Sequence, residues 1–104
     1  MHMTATVYFS YVGTAEDWFD RKYYVDTHMP LVLDAWKPHG LLRAEAFFPA
    51  AAPTGERGTL VICEAIFEDE AAIEASFAAP ETPAVIADVE KFTNLPLTQT
   101  RSKA

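Results

Sequence analysis

The sequence predicts an α+β domain built on one four-stranded antiparallel sheet in β-α-β-β-α-β order, with both helices on the same face. Three observations predict it. Four runs rich in β-branched and aromatic residues read as strands, and helical stretches separate the first from the second and the third from the fourth. The third run, TLVICEAIF, is apolar at both parities: Leu60, Ile62 and Ile66 point one way, and Val61, Cys63, Ala65 and Phe67 the other. Two helices cover only one face of such a sheet. The simplest cover for the other is the same face of a second copy, so the fold is expected to be a ferredoxin-like sheet that closes as a homodimeric α+β barrel.

The 104 residues suffice for one domain, placed at residues 3–104, because Met1, His2 and Met3 read as an expression-vector remnant. Half of the residues are apolar, which excludes intrinsic disorder, and no apolar run approaches the roughly 20 residues that span a bilayer. Eight basic against fifteen acidic residues leave a formal charge of -7, the wrong sign for a phosphate backbone, so neither nucleic acid nor a membrane is expected as a partner. The sole cysteine, Cys63, lies in the most apolar strand and reads as a buried thiol. No basic-then-apolar leader opens the chain, and a reducing cytoplasm is expected.

In chain order, Thr4 to Val12 is the first strand and ends at Gly13. Thr14 is suited to cap the next helix, with Glu16 and Asp17 favourably placed in its first turn. Trp18, Phe19, Tyr23 and Tyr24 then form an aromatic stripe. Pro30 disfavours helical geometry at Met29, which predicts a kink or break just after His28, and a second helical piece that stops at Pro38 and Gly40. Leu41 to Phe48 is the second strand, Pro49 to Gly58 a loop, and Thr59 to Phe67 the third strand. Glu68 to Ala79, closed by Pro80, is the second helix, followed by helical turns from Thr82 through Lys91. Thr93 to Arg101 is a short last strand whose Pro96 places it at an edge. Glu64 interrupts its apolar face, and Arg43 and Glu45 share a parity on the second strand, so an ion pair within or at the rim of the dimer interface is expected.

The chemistry points to Phe19–Leu42. Asp20, Tyr24 and His28 recur every fourth residue and would share a helix face. An unperturbed imidazole titrates near neutral pH, as a general acid or base should. Tyr24, one turn earlier, could bond to the imidazole or to a substrate oxygen, and Asp20 could act through a water. The plainer alternative is that His28 caps the broken helix while the tyrosines fill the core. Trp18, Phe19, Tyr23, Trp36 and Phe92 read as core, with Tyr23, Trp36 and Phe92 also able to line an apolar pocket. No metal site is expected: His28 and His39 are eleven residues apart with no carboxylate or cysteine spacing to complete a set. No glycine-rich phosphate loop opens a helix, and neither Cys63, Ser10 nor Ser76 has a base in sequence reach, so no nucleotide cofactor or covalent nucleophile is expected. Haem on His28 as an axial ligand has no second supporting feature.

The stretch FDRKYYVDTHMPLV, followed by Gly40 and Leu41, resembles the EthD family, associated with ethyl tert-butyl ether degradation. The matching residues are Phe19, Asp20, Tyr23, Tyr24, His28, Pro30 and Leu31, and VEKFTNLPL near the end is similar to that family's last segment. The resemblance implies a homodimeric α+β barrel, and no cofactor is expected from the residues themselves. Relatives in the wider superfamily include cofactor-free monooxygenases, polyketide cyclases, lactone isomerases and haem-degrading enzymes, so the fold alone selects no reaction. The function expected is binding of a small apolar or aromatic carbonyl compound, with His28 and Tyr24 as catalytic residues and Asp20, Tyr23, Trp36 and Phe92 as substrate contacts. The alternatives are a non-catalytic accessory protein of an oxygenase or catabolic pathway and an assembly module whose dimer surface is its function.

Overall fold

The computed structural model describes residues 4–14, 16–49 and 58–103. The four strands are β1 (Ala5–Gly13), β2 (Leu41–Phe47), β3 (Gly58–Phe67) and β4 (Leu97–Lys103). They form one sheet in the order β2-β3-β1-β4, every neighbouring pair antiparallel. The ferredoxin-like order and class are thus as the strand pattern predicts. The expected 49–58 loop falls mostly on residues 50–57, outside the described residues.

Parity on β3 divides the sheet as the sequence indicates. Val61, Cys63, Ala65 and Phe67 are buried under the helices, whereas Leu60, Ile62, Glu64 and Ile66 are half-buried on the helix-free face. The registers place Tyr8 and Glu45 on either side of Glu64, and the Tyr8 hydroxyl donates to Glu64 Oε2 at 3.0 Å. Within one protomer Arg43 stands opposite Ile66 and it is Glu45 that faces Glu64, and the ion pair expected at the dimer interface would have to form with a second copy.

The first helical rod departs from expectation in three places. Thr14 does not cap it: the Thr14 N–H donates to Asp17 Oδ2 at 2.7 Å, closing a separate turn. The helix begins later, at α1 (Arg21–Tyr23), where Asp20 is the cap and its Oδ1 accepts from the Tyr23 N–H at 3.0 Å. Trp18 is consequently left outside the core, 49% exposed.

Pro30 does not break the rod. Residues Tyr24–His28 form a π-helical turn that runs without interruption into α2 (Met29–Trp36). A proline ring collides with the carbonyl four residues back and supplies no N–H to it. Widening the turn, with the Met29 N–H bonded to the Tyr24 carbonyl, accommodates the ring while keeping the chain helical. The rod ends in a 3₁₀ turn, Lys37–His39, and Gly40 at φ 113°. A Cβ there would lie 2.5 Å from the Ala72 Cβ, so the close approach of the following helix also requires glycine.

The second helix, α3 (Glu70–Phe77), is capped by Asp69, whose Oδ1 accepts from the Ala72 N–H at 2.8 Å. A third piece, α4 (Thr82–Ala87), continues as a 3₁₀ turn over Asp88–Lys91. The turn's end is strapped to the start of the first rod: Asp20 N–H donates to the Phe92 carbonyl at 2.7 Å, and the Thr93 hydroxyl donates to the Trp18 carbonyl at 2.7 Å. This strap uses the residues before Pro96, which is why β4 starts at Leu97 and not at Thr93. Among the described residues no helix is long and apolar enough to cross a membrane.

Candidate functional site

Between the helices and the covered face of the sheet lies a cavity of about 190 Å³. Phe9, Tyr11 and Cys63 form its floor on the sheet. Tyr24, His28, Met29, Val32 and Trp36 line it from the first rod, and Phe77, Thr82, Val85, Ile86, Val89 and Leu97 complete it. Ile86 and Leu97 are the exposed members, at 63% and 39%, and mark its opening between α4 and the β4 edge. The volume slightly exceeds that of an engineered apolar cavity of about 150 Å³ that admits benzene, so the space suits a single-ring compound.

His28 is the ionisable group of this wall that is tied to a charged partner. Its Nδ1 lies 2.9 Å from Asp88 Oδ2, and both residues are buried, 5% and 6% exposed. Asp88 also accepts from the Tyr23 hydroxyl on Oδ1 at 2.7 Å, with the Lys91 Nζ 3.8 Å from the same oxygen. Burial by itself would raise the Asp88 pKa. The hydrogen bonds from Tyr23 and His28, with the charges of His28 and Lys91, outweigh it and hold the carboxyl below its ordinary value. For His28 the balance runs the other way: burial lowers its pKa, against the opposing pull of Asp88. The imidazole is therefore neutral at neutral pH, its Nδ1–H donated to the carboxylate and its Nε2 carrying the lone pair. This is the division of labour by which a carboxylate fixes the tautomer and direction of a histidine base.

The other expected site residues are distributed unevenly. Tyr24 lines the cavity beside His28 but does not bond to the imidazole; the rings stack, 5.5 Å between centroids and 21° apart. Burial first, then the neighbouring Cys63 and Tyr11, raises its pKa, so its hydroxyl stays neutral and a donor. Trp36 lines the cavity with its indole N–H donated to Thr82 Oγ1 at 2.9 Å. Phe92 stands behind the imidazole, 4.6 Å between ring centroids, and does not line the cavity. Tyr23 acts on Asp88 and not on the cavity. Asp20 is engaged in the helix cap and does not line the cavity. Cys63 is a protonated thiol: burial pushes its pKa up to about 11, and its Sγ lies 3.9 Å from Met29 Sδ. Among the described residues no three His, Cys, Asp or Glu side chains converge as metal ligands would.

Asp88 is the partner that sequence reasoning missed, 60 residues from His28. A signal was present. Val85, Asp88 and Phe92 lie three and four residues apart, so an acid sits on the stripe of its helix that faces the core. An acid there demands a partner.

The EthD domain model matches residues 11–96. The chain belongs to the EthD family. The match begins at Tyr11 and runs through the FTN segment, whose Phe92 and Thr93 back the imidazole and tie down the rod. Among solved structures, an EthD-like protein of Ralstonia eutropha is 19% identical with a TM-score of 0.82, over 98% of this chain and 92% of the other. An EthD-family protein of Bacillus halodurans is 22% identical with a TM-score of 0.73, over 98% of this chain and 99% of the other. SnoaB, a cofactor-independent oxygenase of Streptomyces nogalater, is 10% identical with a TM-score of 0.66, over 100% of this chain and 94% of the other. A dimeric ferredoxin-like protein of Thermobifida fusca is 12% identical with a TM-score of 0.64, over 100% and 93%. At these identities the likeness is one of fold. No curated protein matches the chain.

Proposed function

We propose that this EthD-family protein binds a small, single-ring or similarly compact apolar carbonyl compound and moves a proton next to its carbonyl group, with His28 as the base and without a cofactor. The observation that carries the reading is an imidazole fixed at Nδ1 by a buried carboxylate on the wall of an otherwise apolar hollow. The lone pair on Nε2 takes the proton, and Tyr24, a neutral donor on the same wall, steadies the oxygen that gains charge. That SnoaB shares the fold and is described as a cofactor-independent oxygenase fits a reaction run by protein groups alone.

The test is hydrogen exchange at carbon. Acetophenone, cyclohexanone and 1,3-cyclohexanedione are incubated with the protein in D₂O and followed by proton NMR. The reading expects faster exchange next to a carbonyl, lowered about a hundredfold or more in His28→Ala. Wild-type protein that leaves all three at the background rate ends it.

A second reading is retention of the compound without turnover, as in an accessory protein for an oxygenase. What favours it is the apolar character of the lining, where the Trp36 and Thr82 polar atoms are already bonded. Binding by calorimetry with no exchange would select it.

The protein is further proposed to work as a homodimer in the cytoplasm, two helix-free sheet faces packed together. Leu60, Ile62 and Ile66 in the centre of that face and Phe47 at its margin, 49% exposed, support this, as does the dimeric state named for the Thermobifida fusca protein. A monomeric mass in light scattering would contradict it.

A further inference from the structure

We propose that Tyr11 is a second catalytic residue, whose hydroxyl joins that of Tyr24 as a donor pair for the oxygen of the carbonyl substrate while His28 opens the neighbouring C–H bond. The inference rests on the proton-transfer reading above and adds the group that makes it chemically complete. A single donor leaves a developing oxyanion poorly served in an apolar hollow; two donors aimed at one oxygen are the usual remedy.

Tyr11 and Tyr24 are neighbours in the cavity lining, one from β1 and one from the π-helical turn, packed edge to face with ring centroids 6.1 Å apart and planes at 82°. Both side chains are 2% exposed. Among the described residues Ser76 Oγ is the fully enclosed side-chain oxygen without a partner. Neither phenolic oxygen is of that kind, and both tyrosines belong to the lining of the cavity. The group beside each hydroxyl is the Cys63 thiol, a weak partner directed at the Met29 sulfur. Two neutral O–H groups thus share the lining with the imidazole, where the other polar members are the Cys63 thiol and the already bonded Trp36 and Thr82. Burial keeps both phenols protonated, as donors must be.

The step balances without another reactant. His28 Nε2 takes H⁺ from the carbon next to the carbonyl; the C–H electron pair becomes a C=C bond and the carbonyl π pair moves onto oxygen. The resulting enolate oxygen accepts from Tyr11 and Tyr24, and the imidazolium returns its proton to carbon. Return to the same carbon is exchange, and return at a conjugated position is isomerisation.

The deuterium exchange assay tests the pair. Tyr11→Phe and Tyr24→Phe are each expected to lower kcat for acetophenone exchange about a hundredfold. KM and the pH dependence set by His28 should stay close to wild type, which loss of core packing would not produce. A Tyr11→Phe protein with wild-type kcat, where His28→Ala has lost exchange, overturns the role of Tyr11 and leaves the base standing. Absence of exchange in the wild type removes the reading on which both rest. Wild-type protein gives an independent measure should Tyr11→Phe fold poorly. 4-Nitrophenol, a mimic of the enolate, should bind as its yellow anion, and binding only as the colourless neutral form would overturn the donor pair.

Discussion

The two faces of one sheet are assembled from the same strands and do opposite things. On the covered face Val7, Tyr11, Val61, Cys63, Ala65 and Phe67 are at most 3% exposed, and Tyr11 and Cys63 line a hollow with an imidazole in its wall. On the helix-free face Tyr8, Ile62, Glu64 and Ile66 are half-buried and flat, and two carboxylates, Glu45 and Glu64, stand opposite each other. The polar groups differ in kind. Asp88 behind the covered face has a hydroxyl and an imidazole donating to it, whereas Glu64 receives the Tyr8 hydroxyl and faces another acid. A satisfied buried network holds one geometry, which a proton-transfer site needs; a half-satisfied open one is suited to being completed by a second copy.

The sharpest way to break this comparison is to injure each face separately. His28→Ala should lower proton exchange about a hundredfold or more while light scattering still reports the dimer. Ile62→Lys places a charge in the centre of the helix-free face and should give a monomer whose cavity still binds acetophenone, measured by calorimetry. Loss of both properties in either variant would mean that the faces are not independent.

Asp88 separates positioning from packing. Asp88→Asn keeps the size of the side chain, and with its oxygen accepting from Tyr23 it turns an amide N–H₂ towards His28 Nδ1. The imidazole then carries its proton on Nε2 and cannot act as a base from that atom. Exchange should fall about 10- to 100-fold with binding kept, and the tautomer change should appear in ¹⁵N NMR of the ring. Asp88→Ala adds an energetic cost, about 1–3 kcal/mol for leaving the buried Nδ1–H without an acceptor, measurable by urea denaturation.

Much of this contrast was legible in the chain. Both-sided apolar parity on TLVICEAIF gave the sheet and its two faces, and the spacing around His28 drew attention to the rod whose imidazole meets Asp88. What escaped the sequence was set by distance or by compensation. The His28–Asp88 pair joins segments 60 residues apart, and its local sign is one acid on a buried stripe. The π-helical turn was hidden because Pro30 reads as a break, and only a widened turn reconciles it with a continuous rod. Thr14, Asp17 and Asp20 all carry cap chemistry, and local rules do not choose among them; the strap from Trp18 and Asp20 to Phe92 and Thr93 does. That strap also leaves Trp18 outside the core.

The smallest expected effect is on stability against pH, and it too distinguishes the faces. The folded pKa of His28 lies below the ordinary 6.5, so in the interval between the two values the unfolded chain binds more protons than the folded one. Stability should therefore be full above about pH 6.5, where the imidazole is neutral in both states, and decline as pH falls through that interval. Asp88, held below its ordinary 3.8, adds a further loss only at more acid pH, as the carboxylate that accepts from Tyr23 and His28 takes up its proton. Urea denaturation from pH 8 to pH 5 should show the decline in wild type and lose it in His28→Gln, while Ile62→Lys, altered on the other face, keeps the slope. A slope that survives in His28→Gln would show that the titration does not come from this imidazole, and His28 would then not be held below its ordinary value.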